Sequence, residues 1–199
     1  RSMDLNTDWS GIRGIGQSLG FGKNVRCKAY PRVLHDDEPF DPIPILNLWA
    51  ADVGEVFMFG ADYYAERIPG RIKGSWLVWD KRKESQADGL GSEFELIWSR
   101  QKHKRRILRH EWFGFLKEGE HGHLRTHPTQ KPIVLIEDII KQWCDGERIV
   151  DPFLGSGTIV IAAERQGRCC YAMEIEPRYV DVSVRRWEQY TGRKAVCDS

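Results

Sequence analysis

The last third of the chain alternates between short hydrophobic runs and segments in which apolar residues recur every three to four positions. An isoleucine stripe after Pro132 predicts a helix, and the runs "RIVDPF" and "CCYAMEI" predict buried strands. Two more helices are predicted at residues 158–166 and 177–190. Strands that alternate with helices pair in parallel through crossover connections. The pattern therefore predicts an α/β sheet in this part of the chain.

The first two thirds of the chain carry shorter hydrophobic runs, separated by turn-forming residues. We expect strands at 55–60, 75–81, 94–100 and 106–115, and short helices at 43–52 and 61–70. The glycine-rich stretch "SGIRGIGQSLGFGKN" (Ser10–Asn24) predicts a loop, which either gates a substrate or is a plain surface loop. No repeat or obvious linker divides the sequence, so we expect a single domain over residues 3–199.

Length and composition agree with one intracellular globular domain. The 199 residues are enough for one compact α/β core and few for two. The five cysteines form no CxxC pair, which is typical of reduced thiols in a cytosol. With no secretory leader and no apolar run of membrane-spanning length, the sequence predicts a soluble, cytoplasmic protein that does not bind membranes.

The net charge of +1 hides a local concentration of positive charge. Six cations within ten positions indicate phosphate contacts with DNA, although the solvated face of a strand pair has the same pattern; they are Arg100, Lys102, Lys104, Arg105, Arg106 and Arg109. Three histidines, at His121, His123 and His127, raise the alternative of a metal cluster. They lack cysteine or carboxylate partners at ligand spacing, so we expect a polar loop and no metal.

The stretch "IVDPFLGSGTIVIAAERQGRCCYAMEI" predicts a strand, a glycine-rich turn, a helix and a second strand. Glycines at 155 and 157 let the backbone approach a ligand, and the helix presents free N–H groups at the same place. Glu174 lies 23 residues after Asp151, where a carboxylate is well placed for a ribose hydroxyl pair. A tight turn without a ligand remains an alternative. The absence of GxGxxG and of GK[ST] disfavours NAD and ATP.

Three motifs in order resemble those of S-adenosylmethionine-dependent DNA amino-methyltransferases: "THPTQKP" (Thr126–Pro132), "DPFLGSGT" and "AMEIEPRYV". In the β group of that family the catalytic half precedes the cofactor half, and "DDEPFDP", "FGADYYAERIP" and "WLVWDKR" are similar to that catalytic half. The resemblance implies a Rossmann-like seven-stranded α/β sheet with permuted motif order and helices on both faces. It divides the chain into a catalytic half (3–82), a small target-recognition and DNA-contact insert (83–125) and a cofactor half (126–199).

The resemblance also implies a role for each matching residue. The cofactor's amino-acid and sugar portions would be lined by Asp151, Phe153, Gly155, Ser156, Gly157 and Thr158. Glu174 would hold the ribose, and Lys131 with Thr129 nearby would contact the methionine carboxylate or cap the pocket. The implied cofactor is S-adenosylmethionine and the implied partner is double-stranded DNA, methylated at adenine N6 or cytosine N4 in a bacterial or phage-infected cell. The resemblance also admits a homodimer.

The chain departs from the family at the catalytic loop, an Asp/Ser-Pro-Pro-Tyr/Trp tetrapeptide that accepts the amino hydrogens and stacks on a flipped base. The matching place reads "DLNTDWSGIRG" (Asp4–Gly14). Either Asp8 is the acceptor and Trp9 the stacking aromatic of a shortened loop, or catalysis is lost, or residues of the loop are missing from the sequence. An aspartate favours adenine. The alternatives are a silent DNA- or cofactor-binding remnant, an RNA or protein methyltransferase, and, on the glycine turn alone, a NAD-dependent oxidoreductase.

Overall fold

The computed structural model describes residues 38–49, 51–82, 92–113, 116–117, 127 and 129–197. Backbone contacts group the chain into two units, Arg1–Pro39 and Phe40–Ser199, and the architecture below is that of the second. Asp8 and Trp9, the predicted catalytic residues, lie outside the described residues. The division into two halves and an insert stays a prediction.

The elements follow the predicted order closely. In chain order they are α1 (Ile43–Leu48), β1 (Phe57–Phe59), a 3-10 helix (Ala61–Arg67), β2 (Ser75–Asp80), β3 (Phe94–Ser99), β4 (Ile107–Arg109), β5 (Trp112–Phe113), β6 (Leu116–Lys117), α2 (Ile133–Trp143), β7 (Arg148–Asp151), α3 (Thr158–Arg165), β8 (Cys169–Ala172) and α4 (Pro177–Thr191). The single strand predicted over 106–115 is wrong, because this stretch is divided into β4 and β5. His110 and Glu111 lie between them, and these two residues and Trp112, the first residue of β5, are buried in succession, which the alternating faces of one half-buried strand do not allow.

Four strands form one sheet in the order β1-β3-β2-β4. Strand β3 is antiparallel to β1 and β2, whereas β2 and β4 are parallel. Strands β2 and β4 therefore end at one edge, which we call the carboxyl edge, beside the start of β3 at Phe94. At the opposite edge, the amino edge, β2 begins at Ser75 and is paired with Ser99 at the end of β3.

Strands β7 and β8 form a parallel pair connected by α3, as the alternating pattern predicted. Helix α2 packs on both groups of strands. Its Leu135 and Ile139 join a cluster with β2 and β3 residues, whereas Ile133, Ile136 and Ile140 pack against Ile161 and Ala162 of α3. The predicted isoleucine stripe is confirmed. Because α2 is fixed on two sides, Lys131, two residues before the helix begins, has a defined place between the four-stranded sheet and α3.

Among the helices of the described segments, none is both long enough and apolar enough to cross a membrane.

Candidate cofactor site

The glycine-rich turn after β7 is built against helix α4. Gly155 and Gly157 have φ angles of +55° and +78°, a left-handed conformation that favours glycine. A Cβ atom at Gly157 would lie 2.7 Å from the Cβ of Ser183, so the backbone of the turn packs directly on Ser183 of α4. The Ser183 hydroxyl donates to the carbonyl of Gly155 (3.0 Å), and Arg186 donates to the carbonyl of Ser156 (2.5 Å). Helix α4 thus sets the shape of the turn.

Two carboxylates flank this turn. Glu174, just after β8, accepts hydrogen bonds from the amides of Gly155 (2.7 Å) and Glu176 (2.9 Å), one on each oxygen. A carboxylate oxygen has two lone pairs, so each keeps acceptor capacity for a further donor. Asp151 ends β7 and accepts from the amide of Phe153 (2.8 Å). Burial raises the pKa of Asp151; the Phe153 hydrogen bond and the charge of Lys131 oppose the rise without cancelling it, and Glu174 adds to it.

Lys131 reaches from the start of α2 toward the carboxyl edge. Its ammonium lies 3.2 Å from a carboxylate oxygen of Glu95 and 5.1 Å from the ring centroid of Phe59. Its carbonyl accepts a hydrogen bond from the Thr158 hydroxyl (3.1 Å), which joins it to the first turn of α3. Lys131 is therefore held both through its backbone and through its side chain.

Glu95, on β3, is a site residue that the sequence analysis missed. Its second carboxylate oxygen lies 3.1 Å from the ammonium of Lys81, which follows β2. Burial acts to raise the pKa of Glu95, but the charges and hydrogen bonds of Lys131 and Lys81 outweigh it and hold the pKa below its usual range. The available signal was a lone acidic residue inside the otherwise apolar strand "FELIW".

An aromatic group lies beside the turn. Phe40 makes edge-to-face contacts with Tyr64 (5.0 Å between ring centroids) and with Phe153 (5.6 Å), and 60% of Phe153 is exposed. The Tyr64 hydroxyl donates to the carbonyl of Phe59 (3.0 Å). Burial raises the pKa of Tyr64 to about 12, with Glu95 and Asp62 adding to the rise, so the phenol is neutral at physiological pH. The group offers an apolar surface against which a planar or aliphatic ligand can pack.

The structure brings five of the predicted cofactor residues together: Asp151, Phe153, Gly155, Glu174 and Lys131. Ser156, Gly157 and Thr158 are buried behind them in the packing of α3 on its neighbours. Thr129 is exposed, and its amide and hydroxyl both contact Nδ1 of His127 (3.2 and 3.0 Å).

His127 lies beneath the turn. Its ring centroid is 4.1 Å from that of Tyr179, and its ring atoms are 3.7–3.8 Å from the position of a Cβ at Gly155. The histidine thus supports the turn through packing. In the part of the chain that the structure describes, no group of three or more histidine, cysteine or acidic side chains is arranged to hold a metal ion.

The six cations between Arg100 and Arg109, here called the basic run, are divided between the two edges of the four-stranded sheet. Lys102, Lys104 and Arg105 are exposed at the amino edge. A groove of about 740 Å³ lies there; its lining includes Arg71, Trp76, Lys102, Arg105, Arg106 and Ile107. Arg109 ends β4 at the carboxyl edge, 3.7 Å from Asp80. Two further arginines of the run also have partners in the fold: Arg100 donates to the carbonyl of Val53 (2.7 Å), and Arg106 to the side chain of Gln142 (2.9 Å).

The two edges are well separated. Strand β2 runs from Ser75 to Asp80, which at about 3.3 Å per residue places the edges about 17 Å apart. The exposed lysines at the amino edge are therefore at the far end of the sheet from Lys131 and the turn. Sequence proximity could not show this division, because β3 and β4 run in opposite directions on either side of β2.

Comparison with known sequences identifies relatives over most of the chain. The profile of the N6/N4 DNA methylase family matches residues 71–185. The Type II methyltransferase M.BglII of Bacillus subtilis is 34% identical over 172 residues, which are 85% of this chain and 43% of that protein. The Type II methyltransferase M.ScaI of Streptomyces caespitosus is 44% identical over 64 residues, 32% of this chain and 21% of that protein. The chain thus spans less than half the length of these relatives.

Solved structures share the fold. M1.HpyAVI in complex with SAM has a TM-score of 0.51 and 20% identity over 75% of this chain and 84% of its own. The Thermus thermophilus protein TTHA0409, complexed with S-adenosyl-L-methionine, has a TM-score of 0.51 and 17% identity over 82% of this chain and 83% of its own. At these identities the likeness shows the fold alone, which confirms the Rossmann-like α/β class predicted from sequence.

Proposed function

Because the chain belongs to the N6/N4 DNA methylase family, we propose that it transfers a methyl group from S-adenosylmethionine to an exocyclic amino nitrogen of double-stranded DNA, with adenine N6 as the target. The observation that carries the proposal is the hydrogen bond between the Gly155 amide and Glu174 (2.7 Å). It joins the glycine turn after one parallel strand to the carboxylate after the next, which is where a nucleoside ligand is held in sheets of this class.

The residues around the turn fit the proposed cofactor. Glu174 keeps acceptor capacity for the two ribose hydroxyls. The amino-acid portion carries an ammonium and a carboxylate, and Asp151 and Lys131 present the opposite charges. Phe153 offers the apolar surface beside them. S-adenosylmethionine, when bound, supplies an electrophilic methyl group on a sulfonium; this chain's part is to orient it and to exclude water.

Asp8 and Trp9 remain the proposed catalytic pair, on the strength of the resemblance. An exocyclic amine is a poor nucleophile because its lone pair is delocalised into the ring. A carboxylate that accepts its hydrogens lets the nitrogen rehybridise, and an aromatic ring stacked on the flipped base holds it in line. Aspartate as the acceptor is what favours adenine over cytosine in the proposal.

The wider setting is also part of the proposal. We retain the seven-stranded sheet with permuted motif order, and a cytoplasmic location in which DNA and cofactor are both available. Homodimerisation is retained only as an arrangement to test by sedimentation. The exposed cations of the basic run would contact DNA phosphates. They lie about 17 Å from the carboxyl edge, which corresponds to about five base-pair steps at about 3.4 Å of rise per step along the duplex axis.

The test is methyl transfer by the purified chain from radiolabelled S-adenosylmethionine to unmethylated duplex DNA, with the nucleosides identified by mass spectrometry. We expect N6-methyladenine, and none with Glu174→Ala. N4-methylcytosine would correct the target base, and label on RNA or protein would correct the substrate. Cofactor binding without transfer would favour the binding-only candidate, which is supported by the lack of an Asp/Ser-Pro-Pro-Tyr/Trp tetrapeptide in the chain.

A further inference from the structure

A three-residue charge cluster occupies the carboxyl edge next to the proposed cofactor site. Glu95 binds Lys131 through one carboxylate oxygen (3.2 Å) and Lys81 through the other (3.1 Å). The three side chains are only 19–24% exposed, so solvent screens their interactions much less than it screens a surface pair. Glu95 lies on β3, Lys81 directly follows β2, and Lys131 lies two residues before α2, so the three come from different parts of the fold.

The charges of this cluster do not cancel. Two ammonium groups share one carboxylate, which leaves one positive charge at the edge of the sheet. Lys131 also lies within electrostatic reach of Asp151, because its charge opposes the rise of the Asp151 pKa. The excess positive charge is therefore next to the turn, where the amino-acid portion of the cofactor is proposed to bind.

Resting on the proposed function, we propose that Glu95 is a positioning residue for the cofactor. It holds the Lys131 ammonium against the Phe59 ring, 5.1 Å from its centroid, and so presents that charge to the methionine carboxylate instead of to solvent. Lys81 completes the arrangement, because it keeps the site cationic while Glu95 is ionised. Neither Glu95 nor Lys81 would touch the reacting atoms.

The direction in which Glu95→Gln changes the affinity for the cofactor distinguishes positioning of Lys131 from direct repulsion between Glu95 and the cofactor carboxylate. Glu95 carries the same charge as the cofactor carboxylate and repels it. If Glu95 acted only through its charge, Glu95→Gln would tighten binding of the cofactor. If it positions Lys131, the same substitution releases the lysine and weakens binding. The effect must also be confined to ligands that carry the carboxylate.

The experiment measures binding by titration calorimetry of the full chain with S-adenosylmethionine and with 5′-methylthioadenosine, which lacks the amino-acid portion. We expect Glu95→Gln to weaken S-adenosylmethionine binding about tenfold and to change 5′-methylthioadenosine binding less than about twofold. Lys131→Met should give the same selective loss, and adding Glu95→Gln to Lys131→Met should weaken binding no further. The matched control is Glu93→Gln, a glutamate two residues away whose side chain is 63% exposed and pairs with Arg82.

Each other outcome counts against the proposal. Tighter binding, an equal loss for both ligands, no change, or additive effects in the double variant would each overturn the role of Glu95. A wild-type chain that binds neither ligand would overturn the proposed function itself, which is a distinct result. Should Glu95→Gln fail to fold, as judged by circular dichroism, Glu95→Asp takes its place; being one methylene shorter, it must show the same selective loss.

Discussion

The two edges of the four-stranded sheet use the same residue types in opposite ways. At the carboxyl edge Lys81, Lys131 and Glu95 are half-buried and paired with one another. At the amino edge Lys102 and Lys104 are exposed. Paired, shielded charges fix the position of a small ligand that carries both signs, whereas exposed like charges attract a polyanion without specifying its position. The comparison supports the proposals that the carboxyl edge binds the cofactor and that the amino edge contacts a phosphate backbone.

The exposed loop at the amino edge is anchored near its middle by His103. The imidazole of His103 lies 2.6 Å from the Glu55 carboxylate and packs against the rings of Phe57 and Trp143, which also contact each other. The backbone of His103 is held as well, since its amide donates to the Ser75 hydroxyl (2.5 Å). The half-buried histidine thus holds the middle of the loop to the sheet, and the cations on each side of it are left facing solvent.

The largest effect is expected from Gly157→Ala, which changes the backbone of the glycine-rich turn at the proposed cofactor site. The left-handed φ costs a non-glycine residue roughly 1–2 kcal/mol, and the methyl group would lie 2.7 Å from Ser183, an overpacking worth about 1–3 kcal/mol. We expect the free energy of unfolding to fall by about 2–5 kcal/mol and S-adenosylmethionine binding to be abolished. Urea denaturation and calorimetry measure the two effects.

Gly167→Ala is the matched control for that substitution. Gly167 also has a left-handed φ, of +62°, but among the described residues no atom apart from those of its chain neighbours lies within 4 Å of its Cβ position. It should lose only the conformational part, about 1–2 kcal/mol, and keep its affinity for the cofactor. Equal losses in the two variants would mean that the packing of the turn against α4 contributes nothing.

A smaller but more selective effect is expected from Glu174→Gln. The charge-assisted bond to the Gly155 amide is replaced by a neutral one, and one ribose acceptor is removed; hydrogen bonds to charged groups contribute about 1.5–3 kcal/mol. S-adenosylmethionine and 5′-methylthioadenosine should both bind roughly ten- to a hundredfold more weakly, because both carry the ribose. A loss confined to S-adenosylmethionine would assign Glu174 to the amino-acid portion instead.

At the amino edge the combined variant Lys102→Gln, Lys104→Gln and Arg105→Gln tests the interaction with phosphates. Removing three cations should weaken binding to duplex DNA about tenfold at moderate salt, and should lower the slope of log K against log salt by about 0.9 for each phosphate that is no longer neutralised. Affinity for S-adenosylmethionine should stay the same. Fluorescence anisotropy at several salt concentrations measures the slope, and an unchanged slope would show that DNA does not contact the amino edge.

The two edges also differ in how well the sequence predicts them. The glycine turn, Glu174 and the helices around them were predicted because strand, turn and helix signals are local in sequence. Glu95 was missed because its partners Lys81 and Lys131 lie elsewhere in the sequence. The pairing of β2 with β3 brings Lys81 to it, and the packing of α2 on this sheet brings Lys131. The sequence presents the basic run as one surface, although the direction of β4 carries Arg109 to the other edge. Local sequence patterns do not show which strands pair, or in which direction, when the strands are distant in sequence.

The smallest effect is expected from Asp151→Asn, which should raise the stability of the fold and lower the affinity of the proposed cofactor site. The pKa of Asp151 is raised in the folded chain, chiefly by burial, so its ionised form costs folding free energy. That cost is complete above the raised pKa, and it is gone once the pH falls below the pKa of the unfolded chain. The asparagine variant should therefore be more stable than wild type at neutral pH, by up to about 1 kcal/mol, while it binds S-adenosylmethionine more weakly.

Thermal melts at neutral and at acid pH measure this difference, with Asp145→Asn, an exposed carboxylate near the end of α2, as the control. The gain in melting temperature should shrink as the pH falls, because protonation removes the same charge from the wild type that the substitution removes from the variant. The control should melt like wild type at both pH values. A variant that gains stability without losing affinity would show that the charge of Asp151 does not help to hold the ammonium group of the cofactor. The electrostatic recognition of the cofactor would then depend on Lys81 and Lys131 alone.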